Sequence, residues 1–332
     1  MSDLLNAFAI AGKAFFGFQA IFFALLAVGL NVHFGYTGLL NFGQIAFAMV
    51  GGFGIAISVS QWGLPFWVGV LVGILAAVVL ALLLGLPTLR LRADYLAIVT
   101  IAMSEGLRLV FRSVSATPVT GGTRGLSAFN GDFIALAPWD TQHRYHILGT
   151  TWSGGELWVA LVGWVLVTLF SLLVWQLMRS PWGRVVKAIR EDEDAVRALG
   201  KNVYAYKMQA LVLGGVIGAF GGMVYAVNTG SAIPDQYQSA NTFLAYAALI
   251  LGGAARVLGP VIGSMILLFI LQFADTGLRA MISNGVIPSE LLSSTDVAQI
   301  RFVLVGIGLM LLLVFRPQGI FGDRREVMLD AR

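Results

Sequence analysis

Charge is what this sequence has least of. Its 21 basic and 17 acidic residues make up 11% of 332 positions, against roughly 25% in soluble domains. That is too little to cover a solvated surface. With 58% apolar residues and a mean hydropathy of +0.84, the chain reads as an integral membrane protein. From Ala14 to Leu89 no residue is charged, and His33 is the single one that ordinarily titrates near neutral pH. Cysteine is absent, which excludes disulfides, thiolate metal sites and cysteine nucleophiles. No G-x-x-x-x-G-K-[ST] phosphate loop occurs, so ATP chemistry would have to come from a partner. The three histidines, 33, 143 and 146, lack metal-ligand spacing with other donors, and there is no nucleophile–base constellation. The chain is therefore not read as an enzyme, and no metal or cofactor is expected on it. No basic region precedes the first apolar stretch, MSDLLNAFAI, which reads as the lead-in to a retained helix and not as a cleaved signal.

What is present is apolarity in continuous runs, near 12–31, 36–60, 64–86, 94–112, 157–178, 205–228, 239–255, 257–278 and 298–315. Continuous runs mean helices and not a barrel, and about 20 residues cross a bilayer core. The expected fold is an all-α polytopic bundle of nine or ten membrane helices, one domain over 1–332. Basic residues orient it. If the runs alternate from residue 64 onward, one side collects Arg90, Arg92, seven residues between Arg179 and Lys207, Arg256, Arg316, Arg324, Arg325 and Arg332, which is 14 of the 21. The positive-inside rule makes that side cytoplasmic, with the C-terminus, and makes the connections at 113–156 and 279–297 external. The same rule accounts for the net charge of +4 and the pI near 9.5 without nucleic acid.

Nine crossings leave the N-terminus outside; a tenth needs an extra short or re-entrant piece within residues 1–60. Its place is Gly35–Gly54, GYTGLLNFGQIAFAMVGGFG, which has six glycines and polar Thr37, Asn41 and Gln44. Each glycine weakens a helix by about 1 kcal/mol relative to alanine. Backbone freed at membrane depth must be covered by protein or line a cavity, so this second run is expected to be a broken helix. A repeat supports it. FGQIAFAMVGG at 42–52 and FLAYAALILGG at 243–253 share Phe, Ala, Gly and Gly at a constant offset of 201 and run in opposite directions. Inverted repeats of this kind place a transport path between the two halves. Thr37, Asn41 and Gln44, with Asn241 and Tyr246 of the repeat mate, are the pathway candidates. Helix–helix hydrogen bonding, worth about 0.6–2 kcal/mol in membranes, accounts for them equally well. Glu105 is a costly intramembrane carboxylate, and Arg108 and Arg112 follow it on nearly the same helical face. A structural ion pair of Glu105 with Arg108 is the first reading, ahead of a pathway role.

The main departure from apolarity is Arg179–Lys207, RSPWGRVVKAIREDEDAVRALGKNVYAYK, with seven basic and four acidic residues. Ser180-Pro181 is a helix start, and Trp182, Val185, Val186 and Ile189 form one apolar stripe. The acidic run Glu191–Asp194 interrupts the stripe and can cap a second short helix with Ala195, Val196 and Leu199 on its apolar side, ended by Gly200. Two such amphipathic turns either lie on lipid headgroups or dock into a partner protein. The acidic run favours the protein.

Six segments taken together carry a resemblance. They are GYTGLLNFGQIAF at 35–47, YLAIVTIAMSEGLRLV at 95–110, TGGTRGL at 120–126, SPWGRVVKAIREDEDAVRALGKN at 180–202, LGGAARVLGPVIG at 251–263 and FRPQGIFG at 315–322. In this order they resemble the LivM-type permease subunits of the branched-chain amino-acid ABC importer family. The resemblance implies an inverted-repeat permease in a bacterial cytoplasmic membrane that carries hydrophobic amino acids. It implies a second, LivH-type permease, two cytoplasmic ATPases that hold ATP and Mg, and an external solute-binding protein. It also implies that 180–202 contains the coupling helix, with Arg190, Glu191, Asp192, Ala195, Val196, Ala198, Leu199 and Gly200 toward the ATPase. One departure is visible at GGAARVLG, 252–259, where the family often has a threonine after a third glycine. Urea permeases resemble the same family, so urea or a short amide is the alternative cargo. An ion-coupled transporter or channel is a further alternative, but it would be expected to place carboxylates mid-membrane, where this chain offers only Glu105 and Asp275.

Overall fold

The computed structural model describes residues 2–91, 93–147, 149–284, 296–316 and 318–322. In chain order the helices are α1 (Ser2–Phe16), α2 (Phe18–Leu30), α3 (Gln44–Ser60), α4 (Phe66–Thr88), α5 (Ala93–Arg112), the short α6 (Thr117–Thr120) and α7 (Gly131–Ile134), α8 (Gly154–Arg179), α9 (Pro181–Glu191), α10 (Glu193–Ala198), α11 (Val203–Thr229), α12 (Ala240–Gly252), α13 (Gly259–Ser283) and α14 (Asp296–Phe315). Among the described residues, strands are confined to two small antiparallel pairs, β1 (Leu126–Ser127) with β4 (Ser231–Ala232), and β2 (Arg144–Ile147) with β3 (Thr150–Ser153). Among the described residues, five helices are long and apolar enough to cross a bilayer: Phe18–Tyr36, Phe66–Thr88, Gly154–Arg179, Val203–Thr229 and Gly259–Ser283. The protein is an all-α polytopic membrane protein.

Three apolar runs differ from single spans, each for a local reason. The run 12–31 is divided at Gly17, where the backbone is extended (φ −73°, ψ 174°) and a Cβ would stand 2.8 Å from the Lys13 carbonyl oxygen. Beyond that bend α1 packs chiefly on α13, with Phe8 and Phe15 at 5.4 and 6.2 Å from Phe269. The run 36–60 is broken, and α3 begins only at Gln44. The run 239–255 yields α12, whose 13 residues reach about 20 Å at 1.5 Å each, short of a hydrocarbon core of about 30 Å.

Contacts sort the helix ends into two sets. At the basic end, Arg90 lies over the Tyr204 ring (5.8 Å), Arg190 donates to Gly35 O (2.6 Å) and Asn31 donates to Arg256 O (2.8 Å). At the far end, Lys13 pairs with Glu156 (3.0 Å), Ser60 donates to Ser127 O (3.3 Å) and Asn130 donates to Val227 O (2.9 Å). Helices α4, α5, α8, α11, α12 and α13 therefore alternate in direction, α12 returning to the basic end between α11 and α13. Arg92, residues 285–295 of the expected 279–297 connection, Arg324, Arg325 and Arg332 lie outside the described residues.

The series α2–α5 and α11–α14 have the same order: a long helix, a short one after an irregular stretch, then two more. At their junction the starts of α3 and α12 meet. Ile45 N donates to Thr242 Oγ1 (3.1 Å), Tyr246 OH donates to Asn41 O (3.0 Å), and the Phe42 and Phe243 rings are 5.3 Å apart. At an offset of 201, Thr242 is the mate of Asn41 and Tyr246 the mate of Ile45. Each hydrogen bond thus joins the same two equivalent positions, and Phe42 faces its own mate. Reciprocal contacts of this kind are the signature of a two-fold relation, and the pseudo-axis passes through the Phe42–Phe243 contact.

Candidate functional site

After Leu30, α2 widens into a π-helical turn, Asn31–Tyr36, and the chain leaves the helix before α3. Such turns open the backbone ladder and recur at functional places. Asn31 holds this one to the turn after α12, accepting from Ala255 N (2.8 Å) and donating to Arg256 O. Two residues on, His33 Nε2 lies 3.1 Å from Leu211 O. A carbonyl only accepts, so Nε2 is the donor and Nδ1 is left to accept from Asn41 Nδ2 (3.1 Å). Asn41 Nδ2 also donates to Gln44 Oε1 (3.3 Å), Asn41 Oδ1 accepts from Gly43 N (2.9 Å), and Gln44 Nε2 donates to Gly214 O (2.9 Å). Thr37 returns its hydroxyl to Val32 O (2.7 Å). His33, Asn41 and Gln44 are 0% exposed, Thr37 2% and Tyr246 6%. The structure therefore places Thr37, Asn41, Gln44 and Tyr246 in the packed interior, where they hold the shape of the break. Asn241 is half-buried and outside this network, donating to Gln236 O (2.8 Å).

Room for the network comes from glycine. A Cβ on Gly214 would overlap the His33 ring and Gly29 O, and one on Gly29 would overlap Gly214 O. Backbone-to-backbone approach lets a histidine on α2 reach a carbonyl on α11.

A second polar cluster ties α5 to the segment before α12. Arg108 donates to Glu105 through Nε (2.9 Å) and Nη2, and to Asp235 through Nη1. Arg112 stands 3.5 Å from Asp235, and Glu105 accepts from Ser239 Oγ (3.2 Å). Nothing in the sequence pointed to Asp235, because it lies 127 positions from Arg108. The Arg108 side chain is 11% exposed and that of Arg112 45%. Arg108→Gln is accordingly expected to cost about 1.5–3 kcal/mol of stability, and Arg112→Gln about 1 kcal/mol or less. Thermal melts of the two variants in one detergent check this; equal losses would show that Arg108 does not hold the cluster.

The charged segment forms α9 and α10, capped as the residues predict. Ser180 Oγ accepts from Gly183 N (3.4 Å) with Pro181 at the first helical position, and Asp192 Oδ1 accepts from Asp194 N (2.9 Å) and Ala195 N (3.0 Å). Gly200 closes α10 at φ +75°. The two faces divide differently from the expected apolar side. Val196 turns inward and packs with Ile189 and Val203. Ala195, Ala198 and Leu199 stay outside, Leu199 at 79% exposure. Arg190 also turns inward, to Gly35 O, and pairs with Glu191 (3.1 Å). Its side chain lies against Gly38, whose φ of +73° suits glycine. Glu193 pairs with Arg197 (2.8 Å) and Lys207. The turn after α12 receives Ile320 N on Leu251 O (2.9 Å) and Phe321 N on Gly252 O (3.1 Å), so the GGAARVLG and FRPQGIFG segments pack on one another.

The family described as "Branched-chain amino acid transport system / permease component" matches residues 14–314. The chain belongs to this family. It is 30% identical over 307 residues to the high-affinity branched-chain amino acid transport system permease protein LivM of Escherichia coli K12, covering 90% of this chain and 67% of that protein. The Salmonella typhimurium protein of the same name is 29% identical over 311 residues, covering 91% and 68%. The probable branched-chain amino acid transport permease protein LivM of Methanocaldococcus jannaschii is 25% identical over 334 residues, covering 90% of each. Within this permease, sequence reasoning missed His33 as the hub of the break, Asn31 as its anchor and Asp235 as the second partner of Arg108. His33 did carry a signal, being the one residue that ordinarily titrates near neutral pH in the uncharged stretch from 14 to 89.

Proposed function

We propose that this chain is a permease subunit of an ATP-driven importer that translocates branched-chain amino acids delivered by a solute-binding protein. The observation that carries it is the family match over residues 14–314, joined by similarity to three LivM proteins along about nine-tenths of the chain. The names of those relatives favour amino acids over urea. The subunit is non-catalytic, and ATP and Mg belong to two partner ATPases. A second, LivH-type permease completes the path. The basic end, with α9, α10 and the C-terminus, faces the cytoplasm. The exposed Ala195, Ala198 and Leu199 meet the ATPase, with Glu191, Asp192 and Gly200 shaping that surface. Arg190 and Val196 fasten the pair to the body. Movement of α9 reaches the break through the Arg190–Gly35 hydrogen bond and through Lys187, which lies over the Tyr36 ring at 5.7 Å.

Reconstitution with the co-encoded partners tests the reading. Leucine-loaded binding protein is expected to stimulate ATP hydrolysis and uptake several-fold, and urea to leave both at the basal rate. Stimulation by urea alone would assign the alternative cargo, and uptake without any ATPase would overturn the proposal.

A further inference from the structure

One strip of the molecular surface, between α5 and the start of α12, is polar. At mid-depth the outward faces of α4 and α8 present Leu75 and Val79, and Leu161 and Val165, all 48–63% exposed. Such faces suit lipid. Between α5 and the start of α12, polar groups instead descend from the far end into the membrane. Arg112 and Arg108 stand on Asp235, Glu105 accepts from Ser239, Ser104 touches Ser239 (3.4 Å), and Thr100 Oγ1 accepts from Phe42 N (3.0 Å). The side chains of Glu105, Asp235 and Arg112 remain 38, 40 and 45% exposed. From Arg112 to Glu105 the exposed charge runs about 10 Å along the helix at 1.5 Å per residue, about a third of a hydrocarbon core of about 30 Å; Ser104 and Thr100, below it, are buried. Exposed charge on a membrane helix is costly against lipid and marks a wet or cargo-bearing face.

The strip ends at the pseudo-two-fold axis. Phe243 is 49% exposed, Phe42 is half-buried, their rings are tilted by 37°, and Phe42 also lies 4.7 Å from Tyr246. The junction of two inverted halves, near the midplane, is where repeat-built transporters hold their cargo. Here that junction offers two aromatic rings at the foot of a charged approach.

We propose that Phe42 and Phe243 form the aromatic contact on which the branched hydrocarbon side chain of the transported amino acid rests. The exposed charges of Arg112, Asp235 and Glu105 then suit the carboxylate and ammonium of its zwitterionic head. This inference builds on the reading of the chain as an amino-acid permease, and it gives a role to Phe42 and Phe243, which the repeat had matched only as equivalent positions.

The absence of cysteine makes a direct test available. In the full reconstituted complex, Phe243→Cys places the only thiol of this chain on the axis, and Val165→Cys places one on α8 as a control. A charged, water-soluble thiol reagent is expected to modify Phe243→Cys in at least one of the nucleotide-free and ATP-bound states. Modification is expected to stop leucine uptake, and leucine-loaded binding protein to slow it several-fold. Val165→Cys is expected to stay unmodified. Phe42→Cys, on the repeat mate, serves the same purpose if Phe243→Cys does not assemble. A thiol at these positions as inert as that of Val165→Cys, or one whose modification leaves uptake unchanged, overturns the proposal. Failure of the underlying reading is distinguishable, because the wild-type complex would then take up no leucine at all. As a second measurement, Phe243→Ala is expected to narrow the preference for leucine over alanine about tenfold; an unchanged preference also counts against the contact.

Discussion

Replacing Leu199 with aspartate is expected to abolish uptake and substrate-stimulated ATP hydrolysis while the two permeases assemble at wild-type yield. Leu199 follows the last turn of α10 and is 79% exposed, whereas Val196, three positions earlier, is 5% exposed and packed with Ile189 and Val203. The two residues therefore answer different questions. Burying a leucine contributes about 1.5–3 kcal/mol, which is about ten- to a hundredfold in a docking equilibrium. An aspartate in its place would also have to shed its hydration against an apolar partner. Val196→Asp would instead place a charge among Ile189 and Val203, and the expected result is loss of assembled protein. If α9 and α10 only rest on lipid headgroups, Leu199→Asp leaves uptake at the wild-type rate, and the coupling assignment falls.

Asn41→Leu is the second substitution with a large expected effect, on yield. It removes the donor to His33 Nδ1 and Gln44 Oε1 together with the acceptor of Gly43 N. Each buried polar group left unmet costs about 1–3 kcal/mol. Leucine also lacks any polar atom with which to replace them. Gly214→Val is expected to act in the same direction for a steric reason, since its Cβ would overlap Gly29 O and the His33 ring. Asn241→Leu, outside the network, is expected to leave the amount of assembled complex unchanged. Size-exclusion profiles of the purified complexes check all three. A normal yield of Asn41→Leu with lost transport would move Asn41 from scaffold to passage.

The contrast between these residues shows how much was legible before the fold was known. Six glycines in Gly35–Gly54 marked the broken run, because helix propensity is a local property summed along the chain. Ser180, Pro181, Asp192 and Gly200 marked the limits of α9 and α10 for the same reason, since caps act within one turn. Which face of α10 is buried was not local. Val196 and Leu199 are both apolar, and only the positions of Ile189 and Val203 separate them. The pathway candidates failed to distinguish themselves in the same way. Polarity identified Asn41 and Gln44, but the groups they close on, Gly214 O directly and Leu211 O by way of His33, are backbone carbonyls on another helix. Backbone acceptors leave no trace in residue type.

The sequence by itself determined that the protein lies in a membrane, roughly where its helices run, where the second run breaks and where its charged segment sits. These follow from hydropathy, glycine content and capping, each read within a few turns. The tertiary structure alone decided that His33, Asn41 and Gln44 close on α11, that Arg108 reaches Asp235, and that Phe42 meets Phe243 on the pseudo-axis. The physical reason is the solvent. Lipid is as apolar as leucine, so no hydrophobic gradient tells a membrane helix which side to bury. That choice is made by close glycine contacts and interhelical hydrogen bonds between residues far apart in the chain.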